Sequence, residues 1–473
     1  MSFSLSRTIN PPTVFLVRRS RLRGRLDVEY NFALLTTRIV SKYPQVKIRE
    51  LASSKTGGTP SKSRPDYWKG EIPWASPKDF GSFYLTQTED HISEDAVLDS
   101  TTALVPPGTL LIVFRSGILQ HSLPVTITTK QTAINQDLKG FMFGSNVSAE
   151  YVGAYFVVFG ERLLPLITKS GATVQSINTE QFEHIEIPIP PKDVQGKIVN
   201  RLLSAQRSKH EKEDAARRLL HGIDDILIAE LGIKRGADRS SLLENQIFRT
   251  RFSDITGDRF DPEIVLFRRR SHSFGFPVRR LSELFSESPQ YGAGERGIDR
   301  ESTEDPRYIR ITDIDEWGVL SNELGATAAT FEDSYLLQDD DLLIARSGNT
   351  VGKAYLHKAA LQPYACFYAG YMIRFRFNRT AVLPDYVFGL TQSSYYKAWV
   401  RAVQRAAGQP NINAQEYSSF QIPLPPISVQ EVIVARMHSI RAEAQELLRN
   451  AAAELESVKK SIEVLVLGNS GVS

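Results

Sequence analysis

Two stretches of the chain carry apolar residues at alternating spacings of three and four, a pattern typical of a helix with one narrow apolar face. In the C-terminal stretch this face consists of Ile433, Met437, Ile440, Ala444, Leu447, Ala451, Leu455, Val458, Ile462 and Leu465. An earlier stretch, from about Asp193 to Leu231, has the same spacing at both ends and a polar centre. The spacing therefore predicts two long helices, each with a coiled-coil seam.

A seam of this width needs a partner surface, because a single helix cannot bury it alone. We interpret the two helices as packing on each other as an antiparallel coiled coil. Two other arrangements satisfy the same pattern: each seam could face the domain beside it, or it could face a second copy of the chain.

The regions in front of the two helices have short β-rich runs broken by glycine, proline, serine and aspartate. Residues 110–114 and 342–345 are examples of these runs. Each region closes with an Ile-Pro-x-Pro-Pro string, at 187–191 and 422–426. Since proline cannot continue a helix or a central strand, each string predicts an extended strap at the end of a mixed α/β domain.

The two halves repeat each other in one order, which is the most informative feature of the sequence. The straps, the Ile-Asn pairs before them and the Val-Gln pairs after them recur about 235 residues apart. Residues 115–117 likewise recur at 346–348, and residues 25–29 resemble residues 259–263.

The predicted architecture is thus mixed α/β, with two similar α/β domains that are each followed by a long helix. The predicted boundaries are 1–191 and 236–426 for the domains, and 192–235 and 427–473 for the helical segments.

Length, charge and cysteine content narrow the class of protein. A chain of 473 residues suits two to four domains. The net charge of +3 means that any DNA-binding surface must come from the distribution of charge. A single cysteine, Cys366, excludes a disulfide framework and a cysteine-rich zinc module. The chain has no apolar run of about 20 residues and no secretory signal pattern, so we expect a cytoplasmic protein.

Motifs for catalysis are incomplete. Residues 292–297 match G-x-G-x-x-G but lack the preceding strand and following helix of a dinucleotide site. Residues 348–354 resemble a phosphate-binding loop, but Ala354 stands where Ser or Thr would hold the metal. Residues 10–13 lack the aromatic residue of an amino-methyltransferase loop.

A nuclease would need clustered carboxylates, and nothing in the sequence ties Asp66 to Asp137 and Lys139. The histidines show no metal-ligand spacing. We therefore predict a chain without catalytic residues and without a metal site. A stand-alone Mg²⁺-dependent nuclease is the enzyme alternative.

With these features the chain resembles the specificity subunit of type I restriction-modification systems. The resemblance extends over nearly the whole chain. Besides the duplicated strings, it rests on residues 56–61, 66–68, 72–74, 133–136 and 343–350. Each string is weak alone, whereas their order, their duplication and the helices behind them make the match specific.

The resemblance implies that each mixed domain is a target-recognition domain that reads one half of a bipartite DNA site. It implies that the helices set the gap between the half-sites and dock two methyltransferase subunits, which translocating restriction subunits can join. The chain would direct adenine methylation and restriction without catalysing either, and S-adenosylmethionine, ATP and Mg²⁺ would belong to its partners. A modification-only methyltransferase complex would use the same subunit, and a protein-only scaffold is a further alternative.

The two copies agree at the repeated strings and differ between them, as residues 55–59 and 289–293 show. Different loops can present different hydrogen-bonding groups to bases, so we predict an asymmetric target.

Candidate DNA contacts are polar and basic residues of both halves, those of the first half mostly expected in loops. Arg401 and Arg405 of the second half are one helical turn apart and could line one DNA backbone. In the first half they are Lys55, Thr59, Ser61, Lys62, Lys78 and Arg115. In the second half they are Arg296, Arg310, Arg346, Asn349, Lys353, Arg401, Arg405 and Gln409. Arg115 and Arg346 each follow an apolar strand and precede a Ser-Gly turn. Such an arginine could contact DNA or could pair with a carboxylate to fix the turn, and a solvated basic loop is the alternative for the first-half lysines.

Overall fold

The structure, a computed structural model, describes residues 28–37, 39–169, 174–234, 264, 267, 273–321, 323–404 and 410–468. These residues form two compact units. Unit 1 contains the described residues up to Lys212 and those from Arg449 onward, and unit 2 contains those from Glu213 to Leu448. Both units are mixed α/β, as the sequence predicts.

The strands of unit 1 are short and lie mostly between loops and turns. They are β1 (Gln45–Lys47), β2 (Ala52–Thr56), β3 (Ile72–Ala75), β4 (Tyr84–Leu85), β5 (Asp90–Ile92), β6 (Ala103–Val105), β7 (Leu110–Val113), β8 (Val125–Thr128), β9 (Thr132–Ile134), β10 (Leu138–Phe143) and β11 (Glu186–Pro188). The helices are α1 (Val28–Thr36), α2 (Ile48–Leu51), α3 (Glu94–Leu98), α4 (Ala149–Ile167), α5 (Thr179–Glu183) and the first part of α6 (Lys192–Glu230).

The main sheet of unit 1 has the strand order β2-β10-β7-β8-β4, and a second sheet has the order β5-β3-β9-β6. The central strand of the main sheet, β7, is apolar and buried throughout, as expected for a strand covered on both faces. Helix α4 contributes Tyr155 and Phe159 to the same core. The run predicted at residues 110–114 is therefore confirmed as a strand.

Unit 2 repeats this plan. Its strands are β12 (Val278–Arg280), β13 (Gln290–Tyr291), β14 (Ile298–Asp299), β15 (Arg307–Ile309), β16 (Ala326–Thr327), β17 (Leu342–Ala345), β18 (Ala354–Leu356), β19 (Cys366–Tyr368), β20 (Met372–Phe375) and β21 (Gln421–Pro423). Its helices are α7 (Pro384–Leu390), α8 (Ser394–Val403), α9 (Ala414–Ser418), the rest of α6 and the first part of α10 (Ile427–Leu467). The main sheet has the order β13-β20-β17-β18, and the second sheet has the order β14-β16-β15-β19.

The proline-rich straps are extended, as predicted, and each closes its unit in the same way. Strand β11 pairs with β1, and β21 pairs with β12, both antiparallel. The hydroxyl of Tyr151 donates a hydrogen bond of 2.6 Å to the Pro188 carbonyl. Its counterpart Tyr386 donates one of 2.6 Å to the Pro423 carbonyl. The repeat in the sequence is therefore a repeat of individual hydrogen bonds.

A buried glutamine joins each strap to the long helix behind it. In unit 1 the amide of Gln195 donates to the Pro190 carbonyl at 2.9 Å and accepts from the Ser148 amide at 3.2 Å. In unit 2 Gln430 donates to the Pro425 carbonyl at 2.9 Å and accepts from the Leu383 amide at 2.9 Å. Each glutamine lies in the first turn of a long helix, so its hydrogen bonds fix the position of that helix against its domain.

Within each unit, α6 and α10 pack on each other in antiparallel orientation. In unit 1, Ser208 donates to Glu454 at 2.9 Å and Arg201 donates to Ser461 at 3.4 Å. In unit 2, Arg436 donates to Glu230 at 2.8 Å. Residues that lie later in α6 pair with residues that lie earlier in α10, as antiparallel helices require. The predicted pairing is therefore confirmed.

The seams also face the neighbouring domains, so the second arrangement that the sequence allowed is present as well. Ile198 and Leu202 of α6 and Ile462 of α10 belong to the same apolar core as β7 and α4. In unit 2, Ile223, Ile433 and the strands of the main sheet share one core in the same way. Each seam thus packs on the other helix and on a domain at once.

A close backbone approach requires glycine at the end of β2. A Cβ atom added to Gly57 would lie 2.0 Å from the Ile134 carbonyl oxygen, and one on Gly292 in unit 2 would lie 2.3 Å from that of Ala369. No such contact is possible for real atoms, so the second sheet must shift if a side chain is added at either position.

We predict that Gly57→Ala lowers the free energy of unfolding of unit 1 by about 1–3 kcal/mol, the usual cost of overpacking. Gly81→Ala is the matched control, because an added Cβ there meets nothing within 4 Å. Denaturant unfolding of the full chain measures both. Equal unfolding midpoints for the two variants would contradict the prediction.

Candidate nucleic-acid interface

In unit 2, the four neighbouring strands of the main sheet bring four polar or aromatic residues to one edge. Tyr291 is the last residue of β13. Strands β17 and β20 pair Ala345 with Met372, so the next residues outward, Arg346 and Tyr371, lie at this edge too. Lys353 directly precedes β18, which pairs with β17. We call Tyr291, Arg346, Lys353 and Tyr371 the unit 2 edge.

The equivalent edge of unit 1 is built from the same strands but from different residues. Thr56 ends β2 and pairs with Lys139, and β7 and β10 pair Val113 with Leu138. Asp137 therefore occupies the position of Tyr371. Arg115 lies one residue further from the strand pair than Arg346 does, because Phe114 stands between it and Val113. Gln136 lies beside them and accepts a hydrogen bond from the Thr59 hydroxyl. We call Thr56, Arg115, Gln136 and Asp137 the unit 1 edge.

The two repeated arginines have different surroundings. Arg115 is 57% exposed and its Nε donates to Asp137 Oδ1 at 2.7 Å. Arg346 lies over the Tyr291 ring, 4.9 Å from the ring centroid. Its Nε is buried and has no hydrogen-bond partner among the described residues. Of the two roles that the sequence allowed, pairing with a carboxylate is thus observed for Arg115 alone.

Two candidates of the second half take part in internal contacts. Lys353 donates to the carbonyls of Ile314 and, at 3.2 Å, of Ile311. Arg310 donates to Asp313 at 3.0 Å, and this hydrogen bond raises the pKa of the guanidinium. These contacts fix the turn after β15.

Three further candidates of the second half are exposed. Arg296, Asn349 and Arg401 form no side-chain hydrogen bond or ion pair with the residues that the structure describes. Arg401 lies near the end of α8, next to Val400, which packs against Gly352 of the hairpin that follows β17. Helix α8 ends at Val403. Arg405 and Gln409 lie outside the described residues.

In the first half one expectation is wrong. Lys55 was expected in a loop but belongs to β2, and its ammonium group donates to the Leu104 carbonyl at 3.0 Å. Strand β2 has no apolar alternation because most of its side chains are exposed, so the pattern of the sequence does not show it.

The other first-half candidates do lie in loops or turns. The hydroxyl of Ser61 is 2.8 Å from that of Ser63. Lys62 is exposed and has no partner in the described part of the chain. Lys78 pairs with both Glu89 and Asp90 at 2.9 Å, and these hydrogen bonds raise the pKa of its ammonium group.

The DNA contacts predicted from the sequence do not include the edge residues Tyr291, Tyr371, Gln136 and Asp137. Aligning the two halves would have placed Tyr371 opposite Asp137, since both directly precede equivalent strands. Among the described residues, no group of three His, Cys, Asp or Glu side chains could hold a metal ion. No helix in the described ranges is long and apolar enough to cross a membrane.

The family of the chain follows from the comparison with known proteins. The model of the type I restriction modification DNA specificity domain matches residues 41–215 and again residues 293–457. The chain therefore belongs to the type I restriction-modification DNA specificity family and carries its domain twice. This is the family that the sequence resembles, and it is defined by DNA specificity and not by catalysis.

Individual relatives are similar over part of their length. The specificity subunit of the type I restriction enzyme EcoR124I/EcoR124II from Escherichia coli is 38% identical over 144 residues, covering 30% of this chain and 36% of its own. The MjaIX specificity subunit from Methanocaldococcus jannaschii is 24% identical over 283 residues, covering 56% of each chain. This chain thus spans between 36% and 56% of the length of these two relatives.

A solved type I restriction-modification S subunit from M. genitalium aligns with 91% of this chain and 97% of its own, at 12% identity and a TM-score of 0.41. That likeness is too weak to add to the family match.

We predict that Lys353→Met lowers the free energy of unfolding by about 1.5–3 kcal/mol, because a charged donor to two backbone carbonyls is lost. Asn349 lies in the same hairpin but is exposed and has no partner among the described residues, so Asn349→Ala should change the free energy by less than about 0.5 kcal/mol. Thermal unfolding without DNA measures both. An unchanged melting temperature for Lys353→Met would show that its internal hydrogen bonds are not important for the fold.

Proposed function

We propose that the chain is the DNA-specificity subunit of a type I restriction-modification system and that each unit binds one half of an asymmetric bipartite target. The observation that supports this most directly is the duplicated specificity domain with a constant frame and different edges. Both units have the strap tyrosine, the strap glutamine and the same order of four main-sheet strands, to which unit 1 adds β4. A constant frame with changed edges is what reading two different sequences requires.

The edges differ in the groups that they offer to DNA. The unit 1 edge presents a threonine, an amide and an arginine that is paired with a carboxylate. The unit 2 edge presents two tyrosines and an arginine that has no carboxylate partner in the part of the chain that the structure describes. Base pairs in the major groove are distinguished by their donors, acceptors and methyl groups, so different side chains favour different bases. The two half-sites should therefore differ in sequence.

The proposal assigns no chemistry to this chain. Methyltransferase subunits, and restriction subunits where the system restricts, would hold S-adenosylmethionine, ATP and Mg²⁺ and would act on DNA in the cytoplasm. The long helices are the proposed docking surface for the methyltransferase subunits. In agreement with this, α10 exposes Val432 and Leu448 to solvent at 65% and 41%. A modification-only complex would use the chain in the same way.

The nuclease alternative has little support in the structure. The two carboxylates nearest to a nuclease pattern, Asp66 and Asp137, are each paired with an arginine, at 2.6 Å from Arg64 and 2.7 Å from Arg115. A carboxylate neutralised in this way is a poor ligand for Mg²⁺.

The first test is to express the chain with the methyltransferase subunit encoded beside it in a host that lacks DNA methylation, and to map modified adenines. We expect one motif of two different short blocks with a fixed gap, because two unlike units would read it. The methyltransferase subunit alone is the control and should give no motif.

An undivided symmetric motif would contradict the proposal. Methylation without sequence preference in an assembled complex would favour the scaffold. Cleavage by the purified chain that disappears in Asp66→Ala would favour the nuclease.

A second test compares two lysines of unit 1. Lys62 lies in the loop that follows Thr56 of the unit 1 edge, shortly after Thr59, and has no partner in the described part of the chain. We expect Lys62→Ala to weaken binding of the assembled complex to duplex DNA of any sequence, and to reduce the slope of log affinity against log salt by about one.

The control is Lys78→Ala, because two carboxylates already neutralise Lys78. It should change the slope little. If Lys78→Ala reduces the slope and Lys62→Ala does not, the assignment of the loop to the DNA surface is wrong.

A further inference from the structure

The repeated arginine follows equivalent strands, but its backbone position differs by one residue between the units. Arg346 directly follows the Ala345–Met372 pair, whereas Phe114 stands between Arg115 and the Val113–Leu138 pair. The amide of Arg346 donates to the Tyr371 carbonyl at 2.8 Å, and the amides of Phe114 and Arg115 both donate to the Asp137 carbonyl, at 2.7 and 3.3 Å. The two arginines therefore differ in strand position as well as in their side-chain neighbours.

In unit 1 the charge of the arginine is taken up internally. Asp137 is itself held in place, because its amide donates to Asn135 Oδ1 at 3.0 Å and its Oδ2 accepts from Gln136 at 3.4 Å. The Arg115 guanidinium is bound to this fixed carboxylate at 2.7 Å. A base contact by Arg115 would require this ion pair to be broken or shared.

In unit 2 the carboxylate is replaced by Tyr371, which is 65% exposed. The guanidinium carbon of Arg346 lies 4.9 Å from the centroid of the Tyr291 ring, and the hydroxyl of that tyrosine accepts from the Ala414 amide at 3.1 Å. Arg346 forms no side-chain hydrogen bond or ion pair with the described residues, and its Nε is buried without an acceptor among them. The two terminal amino groups are not buried, so they can donate to an acceptor supplied from outside.

We propose that Arg346 reads a guanine in the half-site of unit 2, with Tyr291 as the residue that orients its guanidinium, and that Arg115 is a positioning residue which reads no base. This inference rests on the function proposed above. The planar fork of arginine donors matches the O6 and N7 acceptors of guanine in the major groove. Stacking on an aromatic ring fixes the plane of the fork, which base reading requires and a phosphate contact does not.

Phosphate binding alone would not account for the arrangement. In unit 2, Arg296 and Arg401 are exposed and without partners in the described part of the chain, and either can supply a charge to the backbone. The neighbours of the repeated arginine differ between the units at Asp137 and Tyr371, as expected where two half-sites are read differently. A uniform phosphate contact would need no such difference.

The test uses the full chain assembled with its methyltransferase subunit and the target found by methylation mapping. Binding is measured to that target and to duplexes in which each base pair is replaced in turn, for the unchanged chain, Arg346→Ala, Arg346→Lys and Arg115→Ala. We expect both Arg346 variants to lose the preference for guanine at one position of one half-site by roughly 5- to 150-fold. Arg115→Ala should leave the preferences of both half-sites unchanged.

Arg346→Lys distinguishes base reading from charge, because lysine keeps the charge and lacks the fork. Its binding to unrelated duplex DNA should stay within about twofold of the unchanged chain, which also shows that the variant is folded. Full retention of the guanine preference in Arg346→Lys would overturn the inference. An equal loss of preference in Arg115→Ala would overturn the distinction between the two arginines.

Failure of the proposed function gives a different result. If the unchanged chain directs no methylation motif, the proposed function fails and this inference fails with it. A motif that lacks a G·C pair in both half-sites, or whose guanine preference is unchanged in Arg346→Ala, overturns the inference and leaves the proposed function standing.

Discussion

Each unit depends on the hydrogen bonds that close its proline-rich strap. Proline has no N–H group, so a buried proline string cannot pair fully with a neighbouring strand, yet its carbonyls still need donors. Tyr151 and Gln195 supply them in unit 1, and Tyr386 and Gln430 supply them in unit 2. Because each glutamine lies in the first turns of a long helix, the same bonds also fix where that helix leaves its domain. The strap therefore joins the sheet to the helix in one buried network.

Under the proposed function, a constant frame with variable edges would let one fold read two half-sites. The strap, the helix and the buried strands of the main sheet carry the apolar core and its hydrogen bonds. The edge residues lie at or just beyond the ends of those strands and, apart from Lys353, contribute little to the core. A substitution such as Asp137 for Tyr371 at an equivalent position changes the chemistry of the edge while the hydrogen bond from the neighbouring arginine amide is kept. Sequence specificity can then diverge with little cost in stability.

The sequence predicted the parts of the fold that follow from period and from proline. The seams of α6 and α10, the strands β7 and β17 and both straps all have such signals, and all are present. Arg346 and Lys353 of the unit 2 edge were among the predicted contacts. Their grouping with Tyr291 and Tyr371 had no signal, because these residues come from strands that are separate along the chain. Lys55 was misplaced because β2 is an exposed edge strand without apolar alternation. The contact of each seam with both a helix and a domain could not be predicted either, because the spacing of apolar residues does not show which surfaces they pack against.

The repeated arginine shows why a motif alone does not define a function. Arg115 and Arg346 share sequence neighbours on the C-terminal side, and the amide of each donates to the carbonyl of the residue that precedes β10 or β20. They differ by one residue in strand position, because Phe114 stands between Arg115 and the last paired residue of β7. In unit 1 the carboxylate of Asp137 makes the arginine a partner in an internal ion pair. In unit 2 a tyrosine stands in place of that carboxylate, the arginine has no ion pair among the described residues, and the ring of Tyr291 lies beside it. The free energy available for DNA contact is therefore set by the neighbour of the arginine, and a duplicated domain can acquire a new specificity without changing the arginine itself.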